Sequence, residues 1–206
     1  MADVTMRTIN RLLVANRGEI ARRIFFTASD MGISTVAVYS DGDAQAPFVA
    51  DADSAIALQG RTATETYLDI NKILEAAKRS GADAIHPGYG FLSENAQFAR
   101  KVADAGLVWV GPPHDAIAAM GDKLSAKRLM QAAEVPTLPA RELTGDEDVL
   151  EAAESVGYPL LVKASAGGGG RGMRVVNSAA ELEAAISGAR REAASAFGDD
   201  TLFMER

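Results

Sequence analysis

The stretch LLVANRGEIARRIFFTASDMGISTVAVY, residues 12–39, sets the architecture. Leu12 to Ala15 are a short, wholly apolar run, the pattern of a strand buried on both faces. From Gly18 to Met31 the apolar residues fall at helical spacing, with Ile20, Ile24 and Ala28 on one face. Gly32 stops that helix, in the position where glycine tolerates positive φ. Ser34 to Tyr39 then reads as a second strand.

The alternation continues outward to residue 111. Ala55 to Leu58 is a third strand. Tyr67 to Arg79 is a helix with Ile70, Ile73, Leu74 and Ala77 on one stripe. Ala82 to His86 is a fourth strand, halted by Pro87, and Ser93 is the N-cap of a helix from Glu94 to Ala105. Leu107 to Val110 is a fifth strand, ended by Gly111-Pro112-Pro113. Short apolar strands alternating with helices predict an α/β fold: a doubly wound parallel sheet covered on both faces. Ligands of such sheets sit beyond the carboxyl ends of the strands. That rule selects three loops: Asn16 to Glu19, Ser40 to Asp43, and His86 to Gly90.

After Pro113 the texture changes. A short helix is expected from His114 to Met120, interrupted by Gly121, and a second, capped by Asp122, from there to Glu134. Pro136 ends it. The remainder predicts a small α+β lobe: a helix from Asp146 to Val156, strands at Leu160–Ala164 and Arg174–Val176, a helix from Ala179 to Ala196 and a last strand at Leu202–Glu205. The expected domains are therefore 1–113 and 137–206, with 114–136 a helical connector.

The 206 residues suffice for one large domain or two small ones. With 21 basic and 28 acidic residues the net charge is −7, which disfavours nonspecific binding to nucleic acid or anionic membranes. Cysteine is absent, which excludes disulfides, thiolate zinc sites and a cysteine nucleophile. The apolar run near the N-terminus is too short for a signal peptide or membrane span, so a cytoplasmic location is expected.

The strongest chemical signal is LLVKASAGGGGRGM, residues 160–173. A buried strand delivers Lys163, and glycines 167, 168, 169, 170 and 172 follow within a few residues. Glycines let backbone N–H groups crowd around an anion, since no Cβ intervenes. Lys163 supplies a compact cation close by, and Arg171 a second. Such a hairpin can close over a nucleotide as a lid. It is not a Walker A motif, which needs Ser or Thr after its lysine, and the first strand lacks the G-x-G-x-x-G of a dinucleotide fold. Lys123, in MGDKLSAK (120–127), begins a helix where free N–H groups also attract anions. Two further segments stand at strand ends: HPGYGFLSEN (86–95) and LFMER (202–206). In the latter, Glu205 can accept from an adenine amino group or a ribose. Each segment also has an ordinary reading: a hairpin turn beside a surface lysine, a solvated helix start, a tight βα turn, a strand end.

Together and in this order the segments resemble biotin carboxylase, of the ATP-grasp superfamily. The matching words are VANRGEIA (14–21), AVYSD (37–41), YLDI (67–70), AIHPGYGFLSEN (84–95), GP (111–112), MGDK (120–123), KASAGGGGRGM (163–173) and MER (204–206). The style is most like the α subunit of a bacterial acetyl- or propionyl-CoA carboxylase. The resemblance implies that residues 1–113 are the domain preceding the ATP-grasp and residues 137–206 its first, lid-bearing lobe. It implies that Lys123 and Lys163 hold ATP phosphates, that Gly167 to Gly172 with Arg171 and Met173 form the mobile lid, and that Glu205 and Arg206 form the adenine-binding hinge. Tyr89 and Gly90 are then near biotin and Glu94 on the bicarbonate side, while Arg17, Glu19 and Arg23 lie where these enzymes dimerise.

The implied reaction uses ATP, Mg2+ or Mn2+, bicarbonate and biotin on a carrier domain. Bicarbonate attacks the γ-phosphate to give carboxyphosphate, which releases CO2 to the deprotonated N1′ of biotin. Lysines and metal neutralise phosphoryl charge, and a closed lid keeps water out. The implied partners are a biotin carboxyl carrier domain, a carboxyltransferase β subunit and a second copy of the enzyme. The resemblance covers only about the first half of such an enzyme. Its metal-binding glutamates, biotin- and bicarbonate-binding arginines and catalytic base belong to the other half, so no catalytic residue is expected among these 206 and no activity from them alone. Alternatives remain: the corresponding domain of pyruvate or urea carboxylase, another ATP-grasp ligase, a noncatalytic nucleotide-binding module, and an oxidoreductase in which Asp41 holds a ribose.

Overall fold

A computed structural model describes residues 7–121, 123–143, 148–165, 173–198 and 200–206. The chain divides into two compact units, Met1–Ala118 and Ala119–Arg206.

In the first unit the chain runs β1 (Arg11–Val14), α1 (Gly18–Asp30), β2 (Ser34–Tyr39), a 3-10 turn (Asp41–Asp43), α2 (Pro47–Ala50), β3 (Ser54–Ala57), α3 (Ile70–Ser80), β4 (Ala84–His86), α4 (Ala96–Asp104) and β5 (Val108–Trp109). The five strands form one parallel sheet in the order β3-β2-β1-β4-β5. Strand side chains alternate between faces, and both are covered. Leu13, Val36, Val38 and Ile85 pack with Ile73 and Ala77 of α3 and Phe98 and Val102 of α4. On the reverse, Leu12, Val14, Ala37 and Ala84 pack with Ala21, Phe25 and Ala28 of α1 and Phe48 of α2. This is the doubly wound sheet that the alternation predicts.

Several boundaries differ from the sequence expectation, each for a local reason. The buried stripe of α1 is Ala21, Phe25 and Ala28, one position on from the Ile20 and Ile24 expected. The helix expected from Tyr67 starts at Ile70, because the Asp69 carboxylate caps it, accepting from the N–H groups of Asn71 (2.9 Å) and Lys72 (3.1 Å). Tyr67 is instead core, stacked on Phe91 at 5.1 Å. Likewise α4 is capped by Asn95, whose side-chain oxygen accepts from Phe98 N–H at 2.8 Å, and not by Ser93. The Ser93 N–H closes a turn onto Gly90 O at 2.9 Å.

Helix α5 (His114–Gly121) spans the division between the units, and the second unit continues with α6 (Lys123–Ala132), β6 (Ala140–Leu143), α7 (Val149–Val156), β7 (Leu160–Ala164), β8 (Arg174–Val176), α8 (Ala179–Phe197) and β9 (Leu202–Glu205). Asp122, the expected cap of α6, lies outside the described residues, as do 144–147. The helix expected from Asp146 begins at Val149, capped by Asp148. The strands form an antiparallel sheet, β6-β9-β7-β8. Strand β6 is an addition to the expected set. Val162, Leu202 and Met204 face α7 and α8 in a core with Val156, Leu182 and Ala189. The alternate residues, Leu161 and Lys163 of β7 with Phe203 and Glu205 of β9, share the other face.

Glu65 sits in the turn before α3 and gives this fold an acid-sensitive point. Its carboxylate accepts the N–H groups of Thr62 and Arg61, both at 3.0 Å, which pulls its pKa down from 4.5 to about 2. A folded pKa below the unfolded one contributes stability that is complete above the unfolded value and lost as pH falls through the folded one. Between pH 4.5 and about 2 the urea midpoint should therefore fall more steeply for the native chain than for Glu65→Gln, a comparison that equilibrium unfolding at stepped pH checks.

Candidate functional site

In the first unit the order of strands reverses at β1, and the crevice beyond the carboxyl ends of β1 and β4 is where such sheets take ligands. Two of the three predicted loops meet there. Asn16, buried at the end of β1, donates from its amide to the carbonyls of Pro87 (2.7 Å) and Tyr89 (2.8 Å), while its oxygen accepts the Arg17 N–H at 2.9 Å. The His-Pro-Gly-Tyr-Gly loop is thereby fixed to the first strand. His86 serves the same turn: its Nδ1 accepts the Gly88 N–H at 2.9 Å, and burial lowers its pKa below 6.5. It is a neutral, structural imidazole at pH 7. Tyr89 is exposed, with its hydroxyl hydrogen-bonded to the Glu19 carboxylate. Gly90 takes a left-handed backbone, φ +66°, and Glu94 is exposed in the turn before α4.

The remaining loop, Ser40 to Asp43, is tied to the first loop and to Tyr67 through Asp43. Asp43, 8% exposed, accepts from Arg17 (2.6 Å), Ser40 Oγ (3.0 Å) and the Tyr67 hydroxyl (2.6 Å). Burial, with the Asp43 bond, pushes Tyr67 up to about 12. These side chains satisfy one another, so the loop reads as a brace. The sequence places Asn16 and Asp43 in ligand-side loops and Tyr67 in a helix, but gives no sign of the bonds they make, the long-range ones of which link residues 24 to 73 apart. Of the expected dimer-face residues, Arg17 pairs with Asp43, Glu19 with Tyr89, and Arg23 bonds Thr27 on its own helix.

In the second unit Lys163 and Glu205 meet. They stand diagonally on neighbouring strands, since Leu161 lies opposite Glu205 and Lys163 opposite Phe203. The Lys163 ammonium bonds Glu205 Oε2 and sits 5.9 Å from the centre of the Phe203 ring. Glu205 Oε1 bonds a residue that the sequence left without a role, Lys127 of α6. All three side chains are largely sheltered, at 20% exposure for Lys163, 14% for Lys127 and 15% for Glu205. Burial by itself raises the Glu205 carboxyl, but hydrogen bonds and charge from Lys127 and Lys163 outweigh it and hold the group below 4.5. Two ammonium groups share one carboxylate, which leaves a sheltered surplus of positive charge suited to an anion. Glu205, expected to face adenine, is engaged here by both lysines.

Lys123 is the first residue of α6, one turn before Lys127. Met173 is 47% exposed just before β8, and Arg206 follows β9 with its N–H bonded to Pro139 O at 3.2 Å. Gly167, Gly168, Gly169, Gly170, Arg171 and Gly172 lie outside the described residues. Among the described residues no three His, Asp or Glu side chains cluster as for a metal ion, and no helix is long and apolar enough to cross a membrane.

Comparison with known proteins bears on both units. Residues 8–117 match the biotin carboxylase N-terminal domain, and residues 122–206 match the ATP binding domain of the carbamoyl-phosphate synthase L chain. The chain is 47% identical over 199 residues to the propionyl-CoA carboxylase alpha chain of Ruegeria pomeroyi, covering 96% of this chain and 29% of that one. Among solved structures, the biotin carboxylase of Campylobacter jejuni, a complex with beta-gamma-ATP, superposes with a TM-score of 0.90 at 45% identity, over 97% of this chain and 45% of that one. The biotin carboxylase domain of Hydrogenobacter thermophilus 2-oxoglutarate carboxylase, with MgADP, ADP and bicarbonate, gives 0.86 at 42% identity, over 97% and 44%. The chain thus spans less than half the length of each.

Gly88 tests how Asn16 holds the His86 to Gly90 loop. Its φ is +66°, and a Cβ there would lie 2.7 Å from the Asn16 amide nitrogen. Left-handed strain and loss of one or both Asn16 bonds predict that Gly88→Ala costs about 2 to 4 kcal/mol of stability. Denaturant unfolding checks this, and Gly90→Ala, where nothing lies within 4 Å of the added Cβ, should cost less.

Proposed function

Because the chain belongs to the biotin carboxylase family, we propose that it is the nucleotide-binding front part of an ATP-dependent ligase that carboxylates biotin with bicarbonate. The subunit type favoured is the α subunit of a bacterial acyl-CoA carboxylase, a reading supported by the likeness to the Ruegeria pomeroyi chain. The observation that carries the proposal is the sheltered Lys163–Glu205–Lys127 cluster, whose Lys163 stands on β7, the strand that precedes the glycine segment in sequence.

In this reading Lys163 faces ATP phosphates, together with Lys123 from the start of α6. The segment Gly167 to Gly172, with Arg171 and Met173, closes over them. Glu205 and Arg206 belong to the strand end on the adenine side, with the Glu205 carboxylate itself held by the two lysines. Tyr89, Gly90 and Glu94 belong to the biotin and bicarbonate side, on the loop that Asn16 braces. Charge stabilisation by fixed cations is the main contribution such a site makes to phosphoryl transfer. Mg2+ or Mn2+ arrives with the nucleotide and supplies further charge neutralisation; no residue of this chain is assigned to it. The partners are a biotin carboxyl carrier domain, a carboxyltransferase subunit and a second copy through the face around Arg17, Glu19 and Arg23, all in the cytoplasm.

The 206 residues do not perform the reaction by themselves, a view supported by their spanning less than half of each related chain. The purified chain, given MgATP, bicarbonate and free biotin, should form no carboxybiotin and release no biotin-dependent ADP; formation of either overturns this. In the full-length protein, Lys163→Met should weaken MgATP binding by at least roughly tenfold, about 1.4 kcal/mol, by titration calorimetry. Unchanged affinity removes Lys163 from the nucleotide site.

A further inference from the structure

We propose that Lys127 is a positioning residue of the nucleotide site: by holding one oxygen of Glu205, it keeps Lys163 available to phosphate. The proposal rests on the nucleotide reading above and adds a residue that reading did not contain.

The geometry begins with a shared carboxylate. Glu205 has two oxygens, and each bonds a different ammonium, Oε2 that of Lys163 and Oε1 that of Lys127. Without Lys127, both oxygens would turn to Lys163. That pair would be electrically neutral, and a phosphate oxygen would have to displace a carboxylate to reach the lysine. With Lys127 in place the three groups carry a net charge of +1, and neither lysine is fully compensated. The surplus lies where little water reaches it, since all three side chains are at most 20% exposed. A poorly solvated positive charge attracts an anion more strongly than the same charge in bulk water. The lowered pKa of Glu205 agrees with a carboxylate ionised between two cations.

Lys127 also fixes direction. It comes from α6, while Glu205 ends β9, 78 residues later. A carboxylate gripped from two elements keeps one orientation, and so does the lysine bonded to its other oxygen. The ammonium of Lys163 is further located by the Phe203 ring, 5.9 Å to its centre. A lysine whose only task was to fasten α6 to β9 would alter stability and leave the affinity of the folded protein for nucleotide unchanged.

The test is a double-mutant cycle on MgATP affinity, measured by titration calorimetry on the full-length protein, with folding of each variant verified by circular dichroism. Lys127→Met should weaken binding roughly tenfold, about 1.4 kcal/mol, and Lys127→Arg should retain most of the affinity. In a Glu205→Gln background, where there is no carboxylate to hold, Lys127→Met should change affinity by less than about twofold. Lys127→Gln replaces Lys127→Met should the latter not fold. If Lys127→Met binds as tightly as the native protein while Lys163→Met does not, the role of Lys127 is refuted and the nucleotide reading stands. An equal loss in the Glu205→Gln background also refutes it, because Lys127 would then act on the ligand directly. If Lys163→Met and the native protein behave alike, the nucleotide reading falls, and the role of Lys127 with it.

Discussion

One carboxylate held between two ammonium groups is the constraint around which the second unit is arranged. Glu205 ends β9, a middle strand of the antiparallel sheet, and is bonded by Lys163 from the neighbouring strand β7 and Lys127 from α6. Charges this sheltered are costly to bury and tolerable only when paired. The sheet makes the pairing possible: Val162 and Met204 face the hydrophobic core, so Lys163 and Glu205 are directed to the opposite face together. Any register slip by one residue would send the lysine into the core and a valine or alanine to the site. Hydrophobic burial on one face of β7 thus sets the electrostatics on the other.

The first unit follows a different plan with the same result, a loop held rigid at a strand end. A parallel sheet buried on both faces supplies the frame. Asn16 at the end of β1 then spans to Pro87 and Tyr89 beyond β4, the neighbour across which strand order reverses. Loops at this position carry function in doubly wound sheets because two strand ends open a crevice there. Asp43, Arg17, Ser40 and Tyr67 form a closed polar group beside it, with each acceptor of Asp43 used.

Much of this was legible in the sequence, and the exceptions are physically instructive. Short apolar runs mark all five strands of the parallel sheet, to within a residue or two at their ends, and three of the four strands of the antiparallel sheet. Strand β6, Ala-Arg-Glu-Leu, has no such signature. It exists because β9 offers it a partner, with Ala140 opposite Glu205 and Leu143 opposite Leu202, and tertiary pairing overrides weak local preference. Two helices start two or three residues later than their patterns suggest, because Asp69 and Asn95 cap them by accepting N–H groups two or three residues ahead, the latter in place of Ser93. Lys163 was legible because a lysine in a buried strand ahead of a glycine run is unusual chemistry. Lys127 was not, because a lysine in the second turn of a helix is ordinary until β9 brings Glu205 beside it.

The central claim, that Lys163, held by Glu205, faces a nucleotide phosphate, is most directly tested by following the 15N signal of its ammonium group, assigned through Lys163→Arg, while the full-length protein is titrated with MgATP. The account predicts a saturable shift of that signal with the same midpoint as binding measured by calorimetry. Saturable MgATP binding with the Lys163 signal unmoved would contradict it.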